Sequence, residues 1–324
     1  MVKMVRIAAY GGPEVLKVQD VDLAPPGPGE VQIEHKAVGL NYIDTYYRTG
    51  MYQAPSLPFT PGNEGAGIVK AVGEGVTAFK PGQRVAYVGA LGAYAKRRNI
   101  AATSLVKLPR SVSYETAAAM MLKGLTAEYL LHRTFPVKKG MTILVHAAAG
   151  GTGLILCQWA NALGCTVIGT VSSAEKGKLA TANGAHHIIN YATEDFPARV
   201  KEITKGAMVD VVYDGVGKAT FPGSLDCLKP FGTFVSFGAA SGAIEAFDIG
   251  ILGKKGCLYA TRPTLFTHIG KRDTYEAMAK RLFAAVAKGV VTIAINNRFP
   301  LKKVADAHRA LEGRQTTGST VLIP

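Results

Sequence analysis

Cysteine is scarce in this chain, with four residues in 324, Cys157, Cys165, Cys227 and Cys257, and no two stand in C-x-x-C spacing. That excludes a disulfide framework and a cysteine zinc cluster, and it suits small apolar thiols of an intracellular protein. Acidic residues are also few. Lys and Arg number 37 against 23 Asp and Glu, a net charge of +14. The basic residues come as scattered pairs (Arg97-Arg98, Lys138-Lys139, Lys254-Lys255, Lys302-Lys303) rather than as one stripe interleaved with aromatics, which argues against a nucleic-acid groove and for a solvated surface. No uninterrupted apolar run approaches the roughly 20 residues a bilayer span needs. The N-terminal MVKMVRIAAYGG has no signal-peptide core, so the expected location is the cytoplasm. Among the histidines none has metal-ligand spacing, and His186 and His187, being adjacent, are expected on opposite faces of a strand.

What the chain does have is hydrophobic content, 48% of residues against 19% charged, and length enough for two domains. Its most informative stretch is Met141 to Leu163, MTILVHAAAGGTGLILCQWANAL. A short apolar strand breaks into a small-residue turn and then a helix. The G-x-G-x-x-G positions hold Ala148, Gly150 and Gly153, so alanine replaces the first glycine. Such a turn lets a dinucleotide pyrophosphate approach the unpaired N–H groups of a helix N-terminus.

Context supports that reading. Residues 1 to about 100 read as short strands (Arg6 to Tyr10, Val31 to Val38, Gly65 to Val72, Arg84 to Tyr87) separated by Pro and Gly turns, a β-rich domain. A long helix is predicted from Ser113 through Leu131. Strands and helices then alternate: strand Cys165 to Val171, helix Ala174 to Ala182, strand His186 to Ile189, helix Glu194 to Thr204, and strands Val209 to Tyr213, Gly232 to Phe237 and Gly256 to Thr261. That alternation predicts an α/β, doubly wound parallel sheet of Rossmann type. Residues 272–288 and 301–312 read as amphipathic helices and Thr320 to Ile323 as a closing strand. The second Rossmann strand runs into Ser172, Ser173 and Lys176 with no carboxylate at its tip, which favours a ribose 2′-phosphate, and hence NADPH, over a bare ribose.

Several segments together resemble the zinc-free quinone oxidoreductases, including the zeta-crystallins, of the medium-chain dehydrogenase/reductase superfamily. They are Gly11-Gly12-Pro13-Glu14-Val15-Leu16, Asn41-Tyr42-Ile43-Asp44, Leu122-Lys123-Gly124-Leu125-Thr126, the turn from His146 to Gly153, Val211 to Gly217, Val235-Ser236-Phe237-Gly238, Thr261-Arg262-Pro263 and Gly318-Ser319-Thr320. The resemblance covers essentially the whole chain. It implies a GroES-like catalytic domain from residues 1–126 with 263–324 and a Rossmann NADPH-binding domain over 127–262. Zinc alcohol dehydrogenases of the superfamily carry a cysteine at or near Asn41 and a histidine where this chain reads Gly62-Asn63-Glu64, so no metal is expected.

The activity implied is hydride or electron transfer from NADPH to small quinones. Two alternatives stay open: reduction of 2-alkenals or enones, and, of another class, RNA binding or a structural crystallin-like role. By the same resemblance Asn41, Asp44, Tyr46, Tyr52 and Arg262 are the catalytic candidates. Arg262 is positioned to meet negative charge on the quinone oxygen, and a tyrosine to hydrogen-bond it or stack on the ring. Cofactor contacts carry over onto Asn41, Lys123, Thr126, Tyr129, Gly150, Gly151, Thr152, Gly153, Ser172, Ser173, Lys176, Tyr191, Gly215, Phe237, Gly238 and Ser241. A homodimer is implied as well, through the apolar region Ile249 to Ala260.

Overall fold

The structure is a computed structural model describing residues 1–313 and 315–324. It divides into two compact units. One comprises Met1–Leu125, Tyr275–Ala287 and Ile293–Pro324, the other Thr126–Thr274 and Lys288–Thr292.

The first unit is β-rich. β1 (Val2–Arg6) and β2 (Lys17–Val21) form an antiparallel pair. The first strand lies earlier than the expected Arg6 to Tyr10, because Ile7 is already leaving the pair to bridge Phe59 and Pro13–Val15 closes a 3-10 turn. β3 (Glu30–Leu40) is the spine. It pairs with β4 (Glu64–Val72), which pairs with β5 (Arg84–Val88); β6 (Arg97–Ala101) returns to β3, and β7 (Leu105–Lys107) pairs with β5. Val31 and Ile33 and, past the register shift at His35 to Ala37, Val38 enter a core with Val69, Val85, Tyr94 and Leu105. Helix α1 (Tyr42–Thr49) follows directly, so the residues at its start hang from the end of the central strand. Helix α2 spans Tyr114–Tyr129.

The second unit carries a six-stranded, wholly parallel sheet: β8 (Thr142–Val145), β9 (Thr166–Val171), β10 (His187–Asn190), β11 (Val209–Asp214), β12 (Leu228–Ser236) and β13 (Tyr259–Thr261), in the order β10-β9-β8-β11-β12-β13. Strand order reverses beside β8, the switch point at which doubly wound sheets bind ligands. α3 (Gly151–Ala162) follows β8 and α4 (Ala174–Ala182) follows β9, the latter with its expected bounds. α5 (Phe196–Ile203) starts two residues later than expected, with Pro197 in its first turn. β13 is shorter than expected because Gly256 (φ +111°) and Cys257 (φ +56°) turn the chain before it. The chain then returns to the first unit, whose sheet gains β14 (Ile295–Pro300), which periodicity did not reveal, and β15 (Ser319–Ile323), paired with β3.

Candidate functional site

The turn after β8 is built for close approach. Ala147 takes φ +52° and its carbonyl accepts from Gly150 N at 2.9 Å. A Cβ on Gly153 would lie 2.3 Å from that same carbonyl oxygen and 2.8 Å from Ala148 Cα, so this glycine lets α3 press onto the turn. Gly150, the N-cap of α3, offers no side chain to its first amides, and no side-chain cap bond is made. The N–H groups of Gly151, Thr152 and Gly153 open a twelve-residue helix whose dipole favours an anion. Ala148, where the fingerprint has its first glycine, is accommodated because Gly169 on β9 has no side chain: a Cβ there would stand 2.7 Å from the Ala148 methyl.

At the tip of β9 the hydroxyl-lysine cluster is assembled. Ser173 caps α4, accepting from Lys176 N at 3.3 Å, and Lys176 Nζ donates to Ser172 Oγ at 3.2 Å. Tyr191 hangs from the end of β10, its N–H on Val171 O and its side chain exposed. Beyond β11, Gly215 and Gly238 touch: a Cβ on Gly238 would lie 2.5 Å from Gly215 O, and one on Gly215 would lie 3.0 Å from the Phe237 ring. Ser241 closes the same turn through Val216 O. Tyr129 is buried and stacks on His268 at 4.5 Å, while Arg262 is exposed, donates to Pro263 O and acts electrostatically on Tyr129. Thr126, the first residue of this unit, is buried.

Behind the turns lies a network that sequence reasoning missed. Asp214 accepts from Val216 N (2.7 Å), Gly217 N (3.0 Å), Thr220 Oγ1 (2.7 Å) and Ser224 Oγ (3.0 Å). Ser224 Oγ also meets His146 Nε2 at 3.0 Å, and His146 Nδ1 meets Thr170 Oγ1 at 2.9 Å. Burial holds His146 below its ordinary pKa against the pull of Asp214. The pattern then reads as a neutral imidazole donating from Nε2 and accepting at Nδ1. Its one sequence signal was a histidine adjoining the glycine turn.

In the first unit Asn41 and Asp44 form a reciprocal capping box at the start of α1, with Asn41 N donating to Asp44 Oδ2 at 2.9 Å. Asp44 also accepts from Asn63 Nδ2 and Tyr94 Oη, each at 2.8 Å, and is fully buried. It therefore holds its neighbours and presents no oxygen to solvent. From Tyr94 the chain of bonds continues to His308 Nε2 (3.2 Å), and Arg48 Nη1 donates to His308 Nδ1 (3.0 Å) and pairs with Glu312. Burial beside Arg48 pushes His308 down to about 3, so it is neutral. Tyr46 and Tyr52 contact edge to face at 5.3 Å, both part-exposed. Asn41 Oδ1 accepts from Lys123 Nζ at 2.5 Å while its amide donates to Glu64 Oε1 at 2.7 Å.

Burial raises the Asp44 carboxyl to about 6, against the pull of its three hydrogen bonds. The folded protein thus binds more protons here than the unfolded chain between pH 4 and 6, so this residue's contribution to stability falls as pH rises through that window. Relative to Asp44→Asn, wild type should lose roughly 2 kcal/mol between pH 4 and pH 7 in urea unfolding; parallel pH curves for the two proteins would refute this.

A chain that carries a β-rich unit and a Rossmann sheet has the composition of a medium-chain dehydrogenase or reductase. Two family models match accordingly, the alcohol dehydrogenase GroES-like domain over residues 27–139 and the zinc-binding dehydrogenase over residues 151–284. The chain is 53% identical over 325 residues to the quinone oxidoreductase of Pseudomonas aeruginosa, both chains covered completely. A crystal structure of Escherichia coli quinone oxidoreductase complexed with NADPH superposes with a TM-score of 0.97 at 48% identity, covering 99% of this chain and all of that one. A 2-haloacrylate reductase from Burkholderia is 44% identical over 331 residues, with 100% and 99% coverage. The chain belongs to the quinone oxidoreductase family of the medium-chain dehydrogenase/reductase superfamily.

The zinc in one model's description finds no suitable ligands around Asn41. The groups there are two carboxamides, an ammonium and two carboxylates already taken up by hydrogen bonds. Among the described residues no three His, Cys, Asp or Glu cluster as a metal would require.

Proposed function

We propose that this protein is an NADPH-dependent quinone reductase that works without a metal. The observation that carries the reading is the pairing of two anion-receptive features on adjacent strands, the uncapped N-terminus of α3 after β8 and the Ser172–Lys176 cluster after β9. Gly150 to Gly153 would receive the pyrophosphate, and Ser172, Ser173 and Lys176, with Tyr191 flanking, the 2′-phosphate of the adenosine. Gly215, Phe237, Gly238 and Ser241 would lie along the next strand ends, and Thr126, Tyr129, Asn41 and Lys123 are the remaining cofactor candidates.

NADPH supplies the hydride. The protein's part is to bind, orient and stabilise charge. A quinone needs no Lewis acid, since its reduced product is aromatic. Tyr46 and Tyr52 offer aromatic faces and hydroxyls to such a ring, Arg262 a cation, and Asp44 the rigidity of the Asn41 backbone. A reductase of activated alkenes is the second reading, favoured by the similarity to 2-haloacrylate reductase.

Turnover should favour NADPH over NADH at least tenfold, and Lys176→Ala should raise the KM for NADPH about tenfold with little change in kcat. Equal use of both cofactors, or an unchanged KM in the variant, would refute the cofactor assignment. A panel of 1,4-benzoquinone, larger quinones and 2-alkenals separates the two acceptor readings.

The protein is further proposed to be a cytoplasmic homodimer. Among the described residues no helix is long and apolar enough to cross a membrane. β13 is an edge strand whose residues are all exposed, and Ile249 and Tyr259 are 76% and 62% exposed, the kind of edge a second copy covers by sheet extension.

A further inference from the structure

The cluster at the end of β3 holds a charge that the capping box does not require. Lys123 on α2 is buried, and its ammonium sits 2.5 Å from Asn41 Oδ1, 3.3 Å from Leu40 O and 3.6 Å from Glu64 Oε1. Glu64 is wholly buried, and neutral donors occupy both its oxygens: Asn41 Nδ2 on Oε1 and Leu122 N on Oε2, each at 2.7 Å. Gly39 makes the room, since a Cβ there would lie 2.2 Å from Glu64 Oε1. The ammonium is thus held by charge to a carboxylate whose short bonds go elsewhere. Two of its three N–H groups have hydrogen-bond acceptors, and the third has only the longer ion pair. Burying an ammonium is costly, and an apolar side chain would fill α2 at this point more cheaply.

We propose that Lys123 is a catalytic residue whose ammonium stabilises negative charge forming on the acceptor oxygen, and that Glu64 is the positioning residue that keeps that charge in place. The inference rests on the quinone-reductase reading above. Transfer of one hydride to a quinone leaves a two-electron-reduced anion with its charge on oxygen. A proton from water completes the hydroquinone, and no bond to Lys123 forms or breaks. The charge gathers on the one quinone oxygen that carries no hydrogen, and a fixed ammonium meets it there. A preorganised donor aimed at developing charge lowers the barrier without tightening ground-state binding.

The test compares wild type with Lys123→Met, Lys123→Gln, Lys123→Arg and Glu64→Gln, measuring the NADPH Kd by fluorescence titration and kcat and KM for 1,4-benzoquinone and a 2-alkenal. Lys123→Met should lower kcat about a hundredfold while the NADPH Kd rises by less than tenfold, the split that separates charge stabilisation from a cofactor contact alone. Lys123→Gln repeats the measurement with a hydrogen-bonding neutral side chain should the Met variant fail to fold. Lys123→Arg should recover at least a tenth of wild-type kcat, and Glu64→Gln should fall between. The deficit in Lys123→Met should be larger with the alkenal, whose enolate is the more basic oxyanion. Wild-type kcat in the neutral variants, or an NADPH Kd that rises as much as kcat falls with no rescue by arginine, overturns the role of Lys123 alone. Absence of quinone turnover in wild type overturns the functional reading and this inference with it.

Discussion

Replacing Gly153 with valine should abolish measurable NADPH binding and destabilise the Rossmann unit. The first added carbon would fall 2.3 Å from the Ala147 carbonyl oxygen and 2.8 Å from the Ala148 backbone, and neither can rotate away. α3 must then lift from the turn, which carries the amides of Gly151 and Thr152 out of place. Overpacking of this kind costs about 1–3 kcal/mol and somewhat more against rigid backbone. The NADPH Kd should rise at least a hundredfold, about 2.7 kcal/mol of lost binding. Trp159, buried on the same helix, is the single tryptophan, so its fluorescence reports unfolding, while NADPH fluorescence reports binding. Gly150→Ala is the control. Its Cβ would meet only Ala147 O, at 3.2 Å, and the Kd should move by less than tenfold. Equal effects from the two substitutions would show that packing behind the turn does not set the cofactor site.

Asp214→Ala should be the most destabilising single change in the second unit that leaves the apolar core intact. Two backbone amides lose their acceptor at a site with no solvent access, and the Thr220 and Ser224 hydroxyls are left with Gly217 O and Thr220 O alone. Leaving such donors unpaired costs about 1–3 kcal/mol each before relaxation, and breaking a buried charged cluster typically totals about 3–5 kcal/mol. For a protein of this size the midpoint of thermal unfolding should fall by about 6 °C. Ser224 would keep Thr220 O and His146, but the turn from Val216 to Thr220 would lose its anchor, so the KM for NADPH should rise as well. Asp214→Asn retains one acceptor oxygen and should lie between. A melting temperature within 2 °C of wild type would contradict the argument.

The parts of this molecule that follow from periodicity were readable in advance, because a strand or helix writes its buried face into a short window of sequence. α4 and the sheet from β8 to β12 are of that kind. β14 was not, since Ile295–Pro300 is half exposed and its polar residues Asn296, Asn297 and Arg298 hide any alternation. The turn after β8 and the Ser172–Lys176 cluster were legible as local features because glycines, hydroxyls and a lysine lie within a few positions of one another. The clusters around Glu64 and Asp214 were not, because their members stand 58 and 78 residues apart in chain order, as Glu64 with Leu122 and His146 with Ser224 do. A buried carboxylate becomes recognisable as a hub only when the strands bring its donors to it. Asp44 illustrates the same limit: its place in the capping box was foreseeable from Asn41, whereas its complete burial depends on Tyr94 and Asn63.

The alanine at position 148 carries a consequence for how such turns are recognised. Ala148 and Gly169 divide between them the volume of a single methyl group, one on the turn and the other on the neighbouring strand. What the turn demands is a small combined size at two sites 21 positions apart, not glycine in one column. A related chain with glycine at the first site has room for alanine at the second, and a chain with alanine at both would have to part β9 from the turn. Exchanging the two residues should therefore preserve the packing, and a fingerprint written as a pair would recognise this turn where one written as three glycines passes it by.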